Sequence, residues 1–419
     1  MPDRRILKLT RLGWGLAIPI LFLSVVGLAC IHATDHTGGP SGVTAEVPGI
    51  PVADASWPVR VYRAIGPRTV RQLAYMLTGI GLMVLVLVPS YQKIGRYTYV
   101  LYAIVIALLV LLVLDRVFDH LGLFDVPFVD VRRGTRRWIR FGPVSIQPSE
   151  FMKPALILAL ARYLRFRNSY RRWSGLIAPF LLTVAPMLLI LMQPDLGTLL
   201  MLLPVLFSML FVAGARLQHL LIVVLLGCAT MPLFYFYGME DYQRTRLMVL
   251  FRQNLQDEAW HMDEGYQLRQ SKMALGTGGL FGKGYGGGVF VQYDELLPEE
   301  HNDFIFAIIG HQWGLIGGLL IILAYSVVLL VGLEVATVTN DPFGRLLAVG
   351  VIVMIAVQAL LNICMTNGLA PITGMTLPFV SAGGSSLWAN FIALGLLVNV
   401  AQRRPMLIGN PPFEHRDET

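Results

Sequence analysis

Residues 292–306 read QYDELLPEEHNDFIF. An acidic, polar segment stops at Asp303, and Phe304, Ile305 and Phe306 open a long apolar run. An ionisable side chain at the edge of a membrane helix is costly to hold, so a functional role is its default reading. The competing reading is a helix cap. Asn302 or Asp303 would satisfy the first N–H groups of the following helix, where a carboxylate is also electrostatically favoured.

Working outward, the composition says what kind of helix follows. The 419 residues are 55% hydrophobic and 14% charged, with a mean hydropathy of +0.63. Soluble domains carry roughly 25% charged residues, so this is an integral membrane protein. The net charge of +7 suits an anionic membrane surface or an anionic substrate, and the apolar character argues against nucleic acid. Cys30, Cys228 and Cys364 all fall in apolar runs and form neither a disulfide frame nor a metal-ligand spacing. The basic N-terminus (Arg4, Arg5, Lys8, Arg11) precedes an apolar run too long for a signal peptide, which reads as an uncleaved first helix.

Ten apolar runs approach the roughly 20 residues that span a bilayer. They lie at about 12–31, 71–90, 97–115, 149–165, 175–192, 195–213, 217–237, 304–333, 344–366 and 385–402. The predicted fold is therefore all-α and polytopic, a single domain over 1–419. The eighth run is long enough to tilt or break, and Gly310, Gly314, Gly317 and Gly318 give it a small-residue packing face. Lys93, Arg96, Arg165, Arg167, Arg171, Arg172, Arg216, Arg345, Arg403 and Arg404 flank the spans on one side. The positive-inside rule puts that side, with both termini, in the cytoplasm. Outer loops then cover about 32–70, 116–148, 238–303 and 367–384, the third being the large one before helix eight.

One outer loop breaks the charge rule. VRRGTRRWIRF carries Arg132, Arg133, Arg136, Arg137 and Arg140. A solvated loop touching lipid headgroups would explain it. An anion site would as well, because guanidinium forks match phosphate oxygens. IQPSEFMK, 146–153, starts a helix at Pro148 and Ser149 and sets Lys153 three residues after Glu150 on one face. The two either pair with each other or turn Lys153 toward the same anion. QPDLGT, 193–198, is a turn in which Asp195 caps the next helix. GTGGLFGKGYGGG, 276–288, has phosphate-loop glycines but no following Gly-Lys-Ser/Thr, so its glycines serve tight turns or close backbone approach. His301 and His311 show no ligand spacing and read as structural. The stretch 367–386, NGLAPITGMTLPFVSAGGSS, is irregular backbone next to the membrane, tolerated where it lines a cavity. Ser381, Ser385 and Ser386 supply small donors there, and Ser385 is a candidate for substrate contact.

RRWI, QPSEFMK, QPDLGT, GTGGLFGKGYGGG, LPEEHNDFIFA and PITGMTLPFVSAGGSS occur in this order over nearly the whole chain. Together they resemble the SEDS family of cell-wall glycosyltransferases. QPDLGT and GGLFGKG are closer to its elongation branch, the RodA type, than to its division branch, the FtsW type. The resemblance implies a ten-helix fold that polymerises lipid II into β-1,4-linked glycan strands, with inversion, at the outer face of the cytoplasmic (inner) membrane. It implies a class B penicillin-binding protein as cross-linking partner, beside other elongation-complex proteins, the nascent glycan strand and membrane lipids. Carried onto this chain, the essential aspartate is Asp303, Glu295 is a further acidic position, and the basic residues are Arg71, Arg137 and Lys153. A divalent cation, magnesium or manganese, is implied with no legible ligand set. Asn302, Gly310-His311-Gln312 and Ala382 depart from the usual pattern. A lipid II flippase is the alternative class, since ten helices with intramembrane charges also suit a transporter. No inverted repeat is legible, and the charged groups gather on one predicted side.

Overall fold

The computed structural model describes residues 11–37, 65–122, 126–132, 135–142, 144–165, 171–239, 241–253, 265–293, 296–297 and 301–403. The long helices are α1 (Arg11–Thr37), α2 (Pro67–Leu87), α4 (Thr98–His120), α5 (Pro148–Leu164), α6 (Trp173–Leu191), α7 (Leu196–Ala213), α8 (Leu217–Tyr237), α12 (Ile305–Val338), α13 (Pro342–Thr366) and α14 (Gly384–Gln402). Shorter helices are α3 (Tyr91–Arg96), α9 (Asp241–Arg252), α10 (Tyr266–Gly278) and α11 (Val289–Gln292). Every run expected to span the membrane is one of the long helices.

Nine helices among the described residues are long and apolar enough to cross a membrane. The tenth expected span, α5, has 17 residues, with Met152 through Ala161 buried without a break. At 1.5 Å per residue it covers about 25 Å, less than a bilayer's hydrocarbon core. It is the central post, packed by α4, α7, α13 and α14. The outer helices show the opposite character. Leu221, Leu225, Leu226, Leu233 and Phe236 of α8 are exposed. Such a surface would aggregate in water and fits lipid.

Two ends of the bundle can be told apart by their contacts. At one end Arg165 pairs with Asp341 at 3.6 Å. There the Arg403 guanidinium donates to the Leu87 and Val88 carbonyls at 2.8 Å. Asn399 accepts from the Tyr91 N–H at 3.2 Å and donates to the Val86 and Pro89 carbonyls at 2.8 Å. This is the end expected to carry the positive loops. The other end gathers the segments expected outside.

Two features of that second end go beyond the sequence expectation. First, the arginine-rich loop is not irregular. It folds into a small antiparallel sheet, β1 (Val129–Arg132), β2 (Thr135–Phe141) and β3 (Val144–Ile146), in the order β1-β2-β3. Buried Asp115 fixes it: its carboxylate takes the Arg136 guanidinium at 2.6 Å and the Val126 N–H at 2.7 Å. Second, α12 is broken at Gly314, where φ is +65° and ψ −160°. The glycine-rich stretch 276–288 inserts into that break. Lys283 and Gly284 donate their N–H groups to the His311 and Gln312 carbonyls at 2.9 and 3.0 Å. Leu315 and Ile316 donate to the Gly279 and Leu280 carbonyls at 2.9 and 3.3 Å. A broken helix leaves backbone groups that lipid cannot satisfy, and this loop satisfies them. The approach needs bare glycines: a Cβ on Gly282 would lie 2.1 Å from the Gln312 carbonyl oxygen.

Candidate active site

A cavity of about 1420 Å³ opens at the second end of the bundle. Its walls come from α2, the end of α4, β2, the start of α5, the α6–α7 turn, α9, the segment before α12, and the 371–386 loop. Asp303, Arg71, Arg137 and Lys153 all line it. Residues distant in sequence thus share one space, three cations beside a carboxylate.

Asp303 sits in the turn just before α12. The N-cap of α12 is Phe304, which makes no side-chain cap bond, so Asp303 stands one residue before the cap position. Its main chain is fixed instead. The fully buried Asn362 of α13 donates to the Asp303 carbonyl at 2.8 Å and to the Met375 carbonyl at 2.6 Å. One amide therefore locks the carboxylate's turn to the loop on the opposite wall.

The basic groups are held in different ways. Arg137 on β2 donates to the Pro194 carbonyl at 2.6 Å, while its buried Nε has no hydrogen-bond partner. Its neighbour Arg136 pairs with Asp115 and, at 2.9 Å, with Asp119. Both arginines line the cavity, Arg136 while anchoring the sheet to α4. Arg140 contacts only the Gly142 carbonyl, at 3.3 Å, among the hydrogen bonds resolved for it. Lys153 is 2% exposed and pairs with Glu150 at 2.6 Å. The pairing reading of that lysine therefore holds, and the pair lines the cavity. Its Nζ also meets the Gln358 Oε1 at 3.5 Å. Arg71, on α2, is exposed on the cavity wall.

Asp195 is the N-cap of α7, accepting from the Thr198 N–H at 3.2 Å. It also accepts from Ser149 at 2.9 Å and Gln147 at 3.3 Å. The cap reading is right but incomplete: this carboxylate ties the start of α7 to the start of α5, which carries Lys153.

The 371–386 loop is the cavity floor, suspended by buried side chains of three helices. Gln358 donates to the Thr376 carbonyl at 3.0 Å, and Gln72 of α2 donates to the Ser381 carbonyl at 3.1 Å. The Tyr325 hydroxyl of α12 donates to the Pro378 carbonyl. Ser386 lines the cavity, bonded to Thr376 at 2.7 Å. Ser385 does not: it is buried behind the wall, accepting from the Gln147 N–H at 3.0 Å and donating to the Ser145 carbonyl at 3.3 Å. It holds β3 to α14.

Glu295 lies outside the described residues, as do Glu299 and Glu300. Among the described residues no three His, Cys, Asp or Glu side chains converge as a metal site. Glu150, Asp195 and Asp119 are each engaged in the pairs above.

Arg246 and Gln358 also line the cavity and carried no signal in the sequence, whereas Thr376 belongs to the 367–386 stretch expected to line one. Arg246 lies in α9, within the long loop before α12. Only the folded position of that loop brings it to the site.

The comparisons with known proteins agree with this architecture. The FtsW/RodA/SpoVE family model, described as "Cell cycle protein", matches residues 57–405. Stage V sporulation protein E of Bacillus subtilis (strain 168) is 38% identical over 336 residues, covering 79% of this chain and 86% of that protein. Peptidoglycan glycosyltransferase MrdB of Escherichia coli (strain K12) is 37% identical over 281 residues, covering 67% of this chain and 74% of that one. Among solved structures, a chain of a peptidoglycan synthase complex aligns with a TM-score of 0.72 at 25% identity, over 96% of this chain and 99% of its own. The rod shape determining protein RodA of Thermus thermophilus aligns with a TM-score of 0.64 at 25% identity, over 95% of this chain and 98% of its own. This chain, with its carboxylate and cationic cavity at one end of a membrane bundle, belongs to the SEDS family, the family of FtsW, RodA and SpoVE.

Proposed function

We propose that this protein is a peptidoglycan glycosyltransferase that polymerises lipid II into glycan strands at the outer face of the cytoplasmic membrane, in cell elongation. One observation carries the reading: Asp303, at the tip of α12, shares a cavity with Arg71, Arg137 and Lys153. The names of its relatives support the reaction class. The elongation role rests on the QPDLGT and GGLFGKG motifs, and the division role is the alternative. Loss of rod shape on depletion supports elongation; filamentation supports division.

The chemistry follows from the groups present. Asp303 accepts the proton of an acceptor sugar hydroxyl, and that oxygen bonds to the anomeric carbon of a lipid-linked donor. The bond from that carbon to the pyrophosphate oxygen breaks, and the electron pair leaves with the polyprenyl pyrophosphate. A single displacement inverts the anomeric centre. Arg137, Lys153 and Arg71 stabilise the negative charge that grows on the leaving group. The resemblance implies a divalent cation, which would supply further charge stabilisation to the departing pyrophosphate; the described residues show no ligand cluster for it. The similar chain from a peptidoglycan synthase complex supports a class B penicillin-binding protein as partner.

The test is strand formation by the purified protein from labelled lipid II in detergent, with and without magnesium or manganese. Long strands are expected. Movement of lipid II across vesicles with no polymer formed would favour a flippase and overturn the assignment.

A further inference from the structure

Arg246 is a cavity residue to which the reaction scheme above gives no task. It projects from α9, and its Nη1 donates to the Ile372 carbonyl at 3.3 Å. That bond sets the guanidinium on the edge of the loop whose next bend is Gly374. Gly374 has φ +70°. A Cβ placed on it would stand 3.3 Å from the Asp303 Oδ2 and 3.4 Å from the Arg246 Nη1. The carboxylate and the guanidinium therefore converge on one bare glycine. The same loop is bonded to Asn362, which also holds the Asp303 main chain. The three segments form one fixed frame around the carboxylate.

We propose that Arg246 is a positioning residue for Asp303, keeping its carboxylate charged and turned into the cavity across Gly374. The inference rests on Asp303 being the general base. A cation close to a carboxylate favours the charged form, and a base must be charged to accept a proton. Of the other surrounding segments, the turn of Asp303 itself brings His301. α13 brings the neutral amide of Asn362, and the 371–376 loop brings no charge. The far walls bring Arg68 and Arg71, Arg116 and Asp119, Arg136 and Arg137, Glu150 and Lys153, and Asp195. Arg246 stands out among these cations by its shared contact with the glycine.

The experiment measures kcat and KM for lipid II polymerisation against pH in purified Arg246→Met, Arg246→Lys and Asp303→Asn, each checked for monodispersity and thermal stability. In Arg246→Met, kcat falls about tenfold or more near neutral pH while KM for lipid II stays within about twofold. Without the cation the carboxylate holds its proton more tightly, so the acidic limb of kcat moves to higher pH, and a more alkaline medium recovers part of the loss. Arg246→Lys restores most of the rate and returns the limb. The shift persists in a His301→Gln background, which removes the neighbouring titrating group. If Arg246→Met is recovered unfolded, Arg246→Gln, which keeps a donor for the Ile372 carbonyl, carries the same comparison. An acidic limb that stays in place, or a raised KM with unchanged kcat, overturns the proposal. Asp303→Asn separates the two levels. Activity there removes the base itself, whereas an inactive Asp303→Asn beside an unshifted Arg246→Met removes the positioning role alone.

Discussion

Two glycine-rich loops among the described residues lie at the same end of the bundle, and they do opposite things. In the 276–288 loop the backbone is consumed: its N–H and C=O groups close the break in α12 at Gly314. In the 371–386 loop the backbone is hung from side chains, Gln72, Asn362, Gln358 and Tyr325, and its inner face is left to the cavity. Similar composition therefore says little about role. What separates the loops is where their hydrogen bonds go, and in a membrane protein each one must go somewhere.

The comparison can be broken at several points. The largest effect is expected at the first loop. Gly282→Ala puts a methyl against the Gln312 carbonyl at a residue with φ +85°, and strain plus a main-chain clash should cost about 3 kcal/mol or more. Thermal unfolding in detergent would read it, and activity should fall only as far as stability does. A stable but inactive variant would give this loop a chemical role instead.

A smaller and different effect is expected beneath the second loop. Gln358→Leu removes the acceptor near the Lys153 ammonium and the donor to Thr376. Hydrogen bonds to charged groups contribute about 1.5–3 kcal/mol, so turnover should fall about tenfold to a hundredfold with only a modest loss of stability. Equal losses of stability in the two loops would erase the distinction. The smallest effect is expected at Lys283, whose side chain is exposed and whose N–H alone bonds to α12. Lys283→Ala should change stability by less than about 0.5 kcal/mol, as surface substitutions do, and leave turnover intact. A large loss of activity would restore the phosphate-cradle reading of that loop.

How much of this was legible beforehand follows the range of the interactions. The ten long helices were, because the length and hydropathy of each run are local properties. Asp303 and Lys153 stood out as charges at the mouths of apolar runs and Arg137 as part of a basic loop cluster, and they line one cavity. The sheet at 129–146 was not legible, since its strands are short and a fully buried aspartate on α4 holds it. Ser385 looked like a donor for substrate, but its hydroxyl is taken up by the chain entering α5. Arg246 was invisible for the same reason: the residue it faces is 57 positions further along the chain and meets it only through the 371–376 loop. The Gly314 break was anticipated as a long helix that tilts or breaks, but not the loop that fills it.

The most direct measurement compares lipid II binding and strand growth in the wild-type protein and Asp303→Asn under one set of conditions. Because the amide keeps the shape and loses only the proton-accepting charge, affinity should stay within a few-fold while strand growth drops at least about a hundredfold, the range of general-base catalysis. Strands made by Asp303→Asn at the wild-type rate would contradict the account.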